Sequence, residues 1–154
     1  MLSQNMNPPI RLLAGFNAAY SGRSTEHLIY VPGRSMWVAA VGTDTVDFSI
    51  HVPDLEARTT FSLRTAKFKK TVLNRPLPQW GRFPAGVLLE LCNAGMDIEG
   101  LGAVIVGDET HGIRYEYGLG VAVAALVFTI HDTPYSDDDL IDIVEKVRRE
   151  YVGG

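Results

Sequence analysis

Apolar and polar residues alternate in short stretches of the chain, which predicts β-strands. In "VDFSIHV", residues 46–52, every second side chain is apolar, so a half-buried strand is expected with His51 on its exposed, polar face. Shorter apolar runs, several of them bounded by Pro, Gly or polar turn residues, predict further strands at residues 27–31, 35–41, 59–63 and 103–106.

Apolar residues spaced three to four positions apart mark stretches that are typical of helices. The predicted helices cover residues 10–20, 82–94, 118–130 and 136–151. The first should bury Ile10, Leu13, Phe16 (or Asn17) and Tyr20, the second Val87, Leu88, Leu91 and Cys92, and the last Leu140, Ile143, Val144, Val147 and Tyr151. The third is crowded with alanine and valine on most sides, so it should be buried all round. Ser136 and the acidic run 137–139 predict a capped helix start rather than a metal site.

The order of these elements is a helix, a run of strands, a helix, a strand and two helices. This order favours an α+β fold with a mixed, mainly antiparallel sheet covered by the helices at 82–94, 118–130 and 136–151. A chain of 154 residues without internal repeats is enough for one domain. We expect that domain at residues 10–154, after a disordered N-terminus at residues 1–9.

The net charge, the cysteine count and the N-terminal sequence limit which partners and which cellular compartments are expected. The net charge of −4 argues against nucleic-acid binding, and the basic run at residues 67–70 is interpreted as a solvated edge. Cys92 is the one cysteine, which excludes a disulfide within the chain and fits a reducing cytoplasm. The N-terminus does not have the pattern of a secretory signal, and the apolar run 119–130 is much shorter than the ~20 residues of a membrane span.

Three stretches, in this order, resemble the N-terminal domain of galactokinases, which belong to the GHMP small-molecule kinases. The first leads to Val31-Pro32-Gly33-Arg34, where the family has Ala-Pro-Gly-Arg. The second is "WGRFPAGVLLELCNAG", similar to the family's Trp-x-x-Tyr-x-x-Gly-Val helix. The third, "GLGAVIVGDETHGIRYEYGLGVAVAALVF", resembles the family's strand, Gly-Asp turn, phosphate loop and following helix. The resemblance implies a fold like domain 2 of ribosomal protein S5 and an ancestry in Mg-ATP-dependent sugar phosphorylation.

The departures from the family concern the groups that perform the reaction. The family's sugar-gripping loop follows its Pro-Gly-Arg, but here Arg34 leads directly into the next strand. Glu26 and His27 lie before that point and are interpreted as an ordinary connector. The chain also ends before the family's catalytic aspartate and second domain, so the resemblance assigns no catalytic residue here.

The phosphate loop of the family, Gly-Leu-Ser-Ser-Ser-Ala-Ala, falls on residues 114–120. Tyr115 and Tyr117 are expected to fill the phosphate space, and Glu116 would repel a triphosphate by about 4 kcal/mol at ~4 Å. The resemblance implies that Gly107, Asp108, Gly112 and Gly118 are remnants of this loop, kept for turn geometry. Arg34, which matches a family arginine, is expected to pair with a carboxylate such as Asp108.

Three functions stay open. The chain is a galactokinase-like domain without kinase activity of its own, which binds a sugar, a metabolite or a partner chain; or it is the N-terminal part of a kinase completed by another chain or segment; or it is an interaction domain that shares only the fold. In the first case no cofactor is expected, and in the second Mg-ATP is. The surface that faces the family's second domain predicts self-association or a partner chain. A fourth hypothesis, a metal hydrolase site at Asp108, Glu109, His111 and Glu116, has weaker support than these three. The spacing of these residues does not place two His ligands on one helical face.

Overall fold

The computed structural model describes residues 7–31 and 33–153, and it contains one five-stranded sheet with five α-helices. The strands are β1 His27–Val31, β2 Met36–Gly42, β3 Phe48–Val52, β4 Ala57–Phe61 and β5 Leu101–Gly107. The helices are α1 Ile10–Ala19, α2 Leu63–Ala66, α3 Arg82–Asn93, α4 Ile113–Ile130 and α5 Asp137–Val147, which continues as a π-helical turn at Arg148–Val152. Most of the expected disordered N-terminus, residues 1–6, lies outside the described residues.

The sheet has the strand order β1-β2-β5-β3-β4. Three of its four pairings are antiparallel, and only β3 and β5 run parallel. The parallel pair requires a crossover, which the chain between β4 and β5 supplies with α3. The α+β class with a mixed, mainly antiparallel sheet is therefore confirmed.

The larger core lies between one face of the sheet and the helices α3, α4 and α5. α4 is buried from Gly118 to Val127 because it packs against the sheet, α3 and α5 at once. This explains why its sequence is apolar on most sides. α5 buries Leu140, Val144 and Val147, as its spacing predicts, and its start is capped by Ser136 and Asp139.

The other face of the sheet is covered by α1, which forms a second, smaller core. Leu12 and Phe16 pack there against Ala39, Val41, Val104 and Val106. The stripe predicted for this helix is wrong in part, because Ile10 and Leu13 are 84% and 45% exposed. Leu12 and Phe16, four positions apart, face the narrow strip of β2 and β5 that α1 crosses, and Tyr20 packs beside them, half-buried.

Several boundaries differ from the sequence prediction. The strand expected at 59–63 ends at Phe61, because Ser62 caps the short helix α2. The strand expected at 46–52 starts only at Phe48, and Val46 is 65% exposed. α4 begins at Ile113, five residues before the expected start, so the segment read as a phosphate loop is largely helical.

Two side chains are placed differently from expectation. His51 is half-buried, because α1 covers its face of the sheet and sets the Tyr20 ring edge-on against it at 5.4 Å between centroids. Burial, assisted by the nearby charge of Arg58, lowers the pKa of His51. Cys92 was expected in the core but lies partly exposed at the edge of α3, where burial still raises the pKa of its thiol.

One described helix, α4, is apolar and long enough to cross a membrane, with a mean hydropathy of 1.4. Of that stretch, 61% is buried inside the domain, which is the pattern of a core helix. Length and composition alone therefore give weak support to a membrane-spanning role.

Candidate functional site

The candidate site lies at the sheet edge where β3 and β5 end, next to the start of α4. Because β3 and β5 are parallel, their carboxyl ends meet at the same edge. Asp54 follows β3 by two residues, and Asp108 follows β5 directly. This edge is where the resemblance places the phosphate loop.

Asp54 is the centre of a hydrogen-bond network at this edge. Its Oδ2 accepts hydrogen bonds from the Tyr115 hydroxyl at 2.6 Å and from the Gly107 N–H at 2.8 Å. Its Oδ1 accepts a bond from Arg11 Nε at 2.8 Å. Arg11 also donates through Nη2 to the Gly107 carbonyl and to Asp108 Oδ1, both at 3.0 Å. The network thus ties α1, the β3 end, the β5 end and α4 together.

These contacts fix the charge states in the network. Burial disfavours the charged carboxylate of Asp54, whose side chain is 10% exposed, but the donors Tyr115, Gly107 and Arg11 outweigh it and lower its pKa. Burial, and then the neighbouring Asp54 carboxylate, raises the pKa of Tyr115. The pair is therefore a charged carboxylate held by a neutral phenol, which is a stabilising arrangement without a free base.

A second group of charged side chains lies around Glu109 in the loop before α4. Glu109 pairs with Arg34 at 3.8 Å and with Arg114 at 3.4 Å. Arg34 was expected to pair with a carboxylate such as Asp108; the carboxylate it pairs with is Glu109, because Asp108 is held by Arg11. Both cations nearest the start of α4 are thus already paired with a carboxylate.

Arg34 also contacts Tyr117 of α4. The guanidinium carbon lies 5.0 Å from the centre of the Tyr117 ring, and the Tyr117 hydroxyl donates to Glu145 Oε2 at 2.8 Å. Burial and the bond to Glu145 raise the pKa of Tyr117 to about 12. Arg34 therefore joins the β1–β2 turn to α4 and α5.

The two tyrosines do not fill a phosphate space as expected. Tyr115 is fully buried, with its hydroxyl on Asp54 and His111 edge-on to its ring. Tyr117 packs sideways on Phe83 of α3. Since Tyr115 is fully buried and Tyr117 is half-buried against Phe83, replacing them would damage packing rather than reopen a loop. The group that remains near the helix start is Glu116, which is half-buried and whose pKa is raised by burial.

The glycines of the predicted loop remnant have different local roles. Gly112 has φ of 138° directly before α4, a backbone conformation that favours glycine. Gly107 is the last residue of β5 and Gly118 lies inside α4, so neither serves a turn. A Cβ atom at these two positions would lie 2.7 and 2.9 Å from Met36 atoms, so both make room for Met36.

Other candidates from the sequence are not assembled into a site. Within residues 7–31 and 33–153, no three His, Cys, Asp or Glu side chains lie close enough to hold a metal ion. Glu26 accepts a hydrogen bond from the Gly42 N–H at 2.8 Å, which fits a connector next to β1. Arg11 and Asp54 were not identified from the sequence as members of the site. The signal for Asp54 was that an acidic residue follows each of the strands β3 and β5, Asp54 after the first and Asp108 after the second.

Comparison with known proteins identifies solved structures with a similar fold. No protein-family model and no curated protein matches the chain. Among solved structures, the chain is similar to Lactococcus lactis galactokinase complexed with galactose, with a TM-score of 0.60, 15% identity and 79% of this chain covered. Methanococcus jannaschii mevalonate kinase gives a TM-score of 0.56, 10% identity and 75% coverage. A D-glycero-D-manno-heptose 1-phosphate kinase from Bacteriodes thetaiotaomicron gives 0.54, 9% and 75%.

The fold is that of the GHMP kinases. The match covers 31% of the galactokinase chain and 36% of each of the other two, so this chain spans about a third of their length. At these identities the likeness is one of fold, and the GHMP kinase fold predicted from the sequence is confirmed. Activity is a separate question that depends on the site.

Proposed function

We propose that this chain is a GHMP kinase-like domain that transfers no phosphoryl group by itself and acts by binding a sugar, a metabolite or a partner chain, in the cytoplasm. The observation that carries this proposal is the pairing of Glu109 with both Arg34 and Arg114. A triphosphate at the start of α4 would have to compete with Glu109 for these cations.

The charge at the helix start supports the same conclusion. A helix N-terminus offers about +0.5 elementary charge and unpaired N–H groups to an anion. Here Asp108 and Glu109 lie five and four residues before the first residue of the helix, and Glu116 lies in its first turn. These carboxylates offset the positive potential that the helix start would offer to an anion. Within the described part of the chain the arginines near them, Arg11, Arg34 and Arg114, are all in ion pairs.

The connection between β1 and β2 supports the loss of sugar phosphorylation. Val31 and Met36 are paired in the sheet, so only residues 32–35 join the two strands. A loop of four residues cannot carry the polar set that the resemblance expects after Pro-Gly-Arg. This short connection supports the proposal that the family's sugar-gripping loop is not retained at this position.

Calorimetric titration of the chain with Mg-ATP, and an assay of ADP release with galactose, test the proposal. We expect no measurable ADP release and no Mg-ATP binding tighter than about 1 mM, a limit that corresponds to about 4 kcal/mol. Micromolar Mg-ATP affinity, or ADP release that depends on galactose, would overturn the proposal.

A charge-neutral variant sharpens the test. Glu109→Gln with Glu116→Gln removes two carboxylates and frees Arg34 and Arg114, so Mg-ATP binding with a Kd of about 0.1 mM, tighter than the limit expected for the unmodified chain, should appear without turnover. Glu99→Gln, which removes an exposed carboxylate just before β5 and so at the opposite end of that strand from the site, is the matched control and should leave binding absent. If the double variant binds no better than the control, the carboxylates are not what prevents binding.

A second candidate is the N-terminal part of a kinase completed by another chain or segment. The observation that favours it is the match to only about a third of each kinase chain. The same titration separates the two, since a nucleotide-binding part of a kinase should show Mg-ATP affinity in the unmodified chain.

A further inference from the structure

Charge is distributed very unevenly along this chain. Residues 57–89 contain seven of the fourteen basic residues and none of the eighteen acidic ones. The rest of the chain holds the other seven basic residues against all eighteen acidic ones, a net charge of −11 with His neutral. The modest overall charge of −4 therefore hides two regions of opposite sign.

The ion pairs follow the same division. All seven basic residues outside 57–89 form ion pairs: Arg11, Arg23, Arg34, Arg114, Lys146, Arg148 and Arg149. Of the seven inside, none forms an ion pair with a described residue, and Lys69 instead lies over the Tyr151 ring at 5.4 Å. Arg82 donates to the Leu77 carbonyl, so the cations left for a partner at residues 62–75 are Arg64, Lys67, Lys70 and Arg75.

Exposed apolar side chains accompany these cations. Phe68 and Leu73 are 73% and 76% exposed, and Val72 is 40% exposed. Phe68 borders a hollow of about 540 Å³ together with Ser62, Arg64, Thr65, Lys70 and Asn74. We call residues 62–75, with these cations and apolar side chains, the basic segment. Exposed aromatic and basic residues together are typical of a binding surface.

A surface of complementary character lies at the other end of α5. A hollow of about 420 Å³ is lined by Phe128, Thr129, Asp132, Thr133, Pro134 and Tyr135. Asp132 lines this hollow, and Asp138 and Asp142 lie one turn apart in the following helix α5. All three are exposed and form no ion pair among the described residues. We call this hollow, together with the carboxylates of Asp138 and Asp142, the acidic pocket. Its size and aromatic lining suit an apolar side chain that arrives with cations around it.

We propose that the basic segment of one chain docks into the acidic pocket of a second copy of this chain, with Phe68 in the hollow and lysines facing the aspartates. A chain cannot make this contact with itself. The Tyr151 hydroxyl bonds the Ala66 carbonyl and so holds the basic segment at the C-terminal end of α5, whereas the acidic pocket lies at its N-terminal end. The eleven residues of α5 separate the two surfaces by about 16 Å.

This inference goes beyond the proposed function, since it holds whether or not the domain binds nucleotide. Sedimentation velocity at about 50 and 500 mM NaCl tests it, because such charges are screened within a few ångströms at high salt. We expect association with a Kd of about 1 to 100 µM at low salt and a monomer at high salt. A monomer under both conditions, or association indifferent to salt, would overturn the proposal.

Charge reversal locates the contact. Lys67→Glu with Lys70→Glu, and separately Asp138→Lys with Asp142→Lys, should each weaken self-association at least about tenfold. An equimolar mixture of the two variants should associate again as a 1:1 complex, because each reversed surface meets a partner of opposite sign. Glu56→Lys changes the net charge outside both surfaces and should associate like the unmodified chain. If the mixture stays monomeric, the two surfaces are not partners.

The apolar part of the contact has its own variant. Phe68→Ser should weaken association while leaving the melting temperature unchanged, since the side chain is mostly exposed in the single chain. Binding to vesicles of neutral lipid with about 30% phosphatidylserine forms a further arm, because lysines are attracted to an anionic lipid surface. Vesicle binding by a chain that stays monomeric at low salt would assign the basic segment to a lipid surface and overturn the proposal.

Discussion

At the scale of single residues, Asp54 links helix α1, the end of β5 and helix α4 through hydrogen bonds that no pattern in the sequence predicts. It accepts hydrogen bonds from Arg11, Gly107 and Tyr115, which are distant in sequence. The sequence indicates only that an acidic residue follows a strand. Its partners depend on the parallel pairing of β3 and β5, which short-range periodicity cannot report.

The charge of Asp54 makes the stability of the fold depend on pH. Its pKa is lowered in the folded chain, so its contribution is complete above the unfolded value of about 3.9 and is lost as pH falls through the folded pKa. Asp54→Asn should therefore cost about 1.5–3 kcal/mol of unfolding free energy at pH 7, and the cost should shrink below about pH 4.

Urea unfolding of both proteins at pH 7, 5 and 3 measures this dependence. Asp44→Asn is the control, because Asp44 is exposed and forms no ion pair within the described part of the chain. An Asp54→Asn cost that is the same at all three pH values would show that the network stabilises through packing rather than through charge.

At the scale of elements, the spacing of apolar residues predicts the bounds and buried faces of helices that pack against one broad surface. The bounds of α3 and the buried stripe of α5 follow from their spacing, because each of these helices has one broad apolar face. Periodicity is wrong in part for α1, where Leu12 and Phe16 are buried against the sheet but Ile10 and Leu13 are exposed. It also misses the start of α4, since Ile113 and Arg114 are polar or exposed and carry no core signal.

The crossing of α3 and α5 depends on Gly86. A Cβ atom there would lie 2.5 Å from Val147 Cγ1 and 2.7 Å from Tyr151 Cδ2, both too close for contact. Gly86→Ala would gain about 1 kcal/mol in helix propensity. We expect this gain to be outweighed, with a net loss of about 1–3 kcal/mol, because the helices must separate.

Thermal and urea unfolding of Gly86→Ala measure the balance, and Val147→Ala provides the matched background. Since Val147→Ala removes the closest clashing atom, the alanine at position 86 should cost less there than in the unmodified chain. If Gly86→Ala costs the same unfolding free energy in the unmodified chain and in Val147→Ala, the clash is with Tyr151 or another residue rather than with Val147.

At the scale of the whole molecule, stability and binding character are expected to lie in different parts. β5 is buried along its whole length and paired on both sides, and α4 is enclosed by the sheet, α3 and α5. The basic segment has only the short helix α2, turns and one isolated bridge between Lys70 and Pro76. Its exposed apolar residues are not part of the core, and exposed apolar residues of this kind are typical of a binding surface.

Amide hydrogen exchange followed by mass spectrometry tests this division. At high salt, where the chain should be monomeric, we expect the slowest exchange in β5 and in residues 118–127, and fast exchange at residues 67–76. On lowering the salt, protection should rise at the basic segment and around residues 128–138, because those two surfaces close on each other, while β5 stays unchanged. Protection that rises evenly over the sheet instead would mean that salt alters the fold itself rather than a contact between two copies.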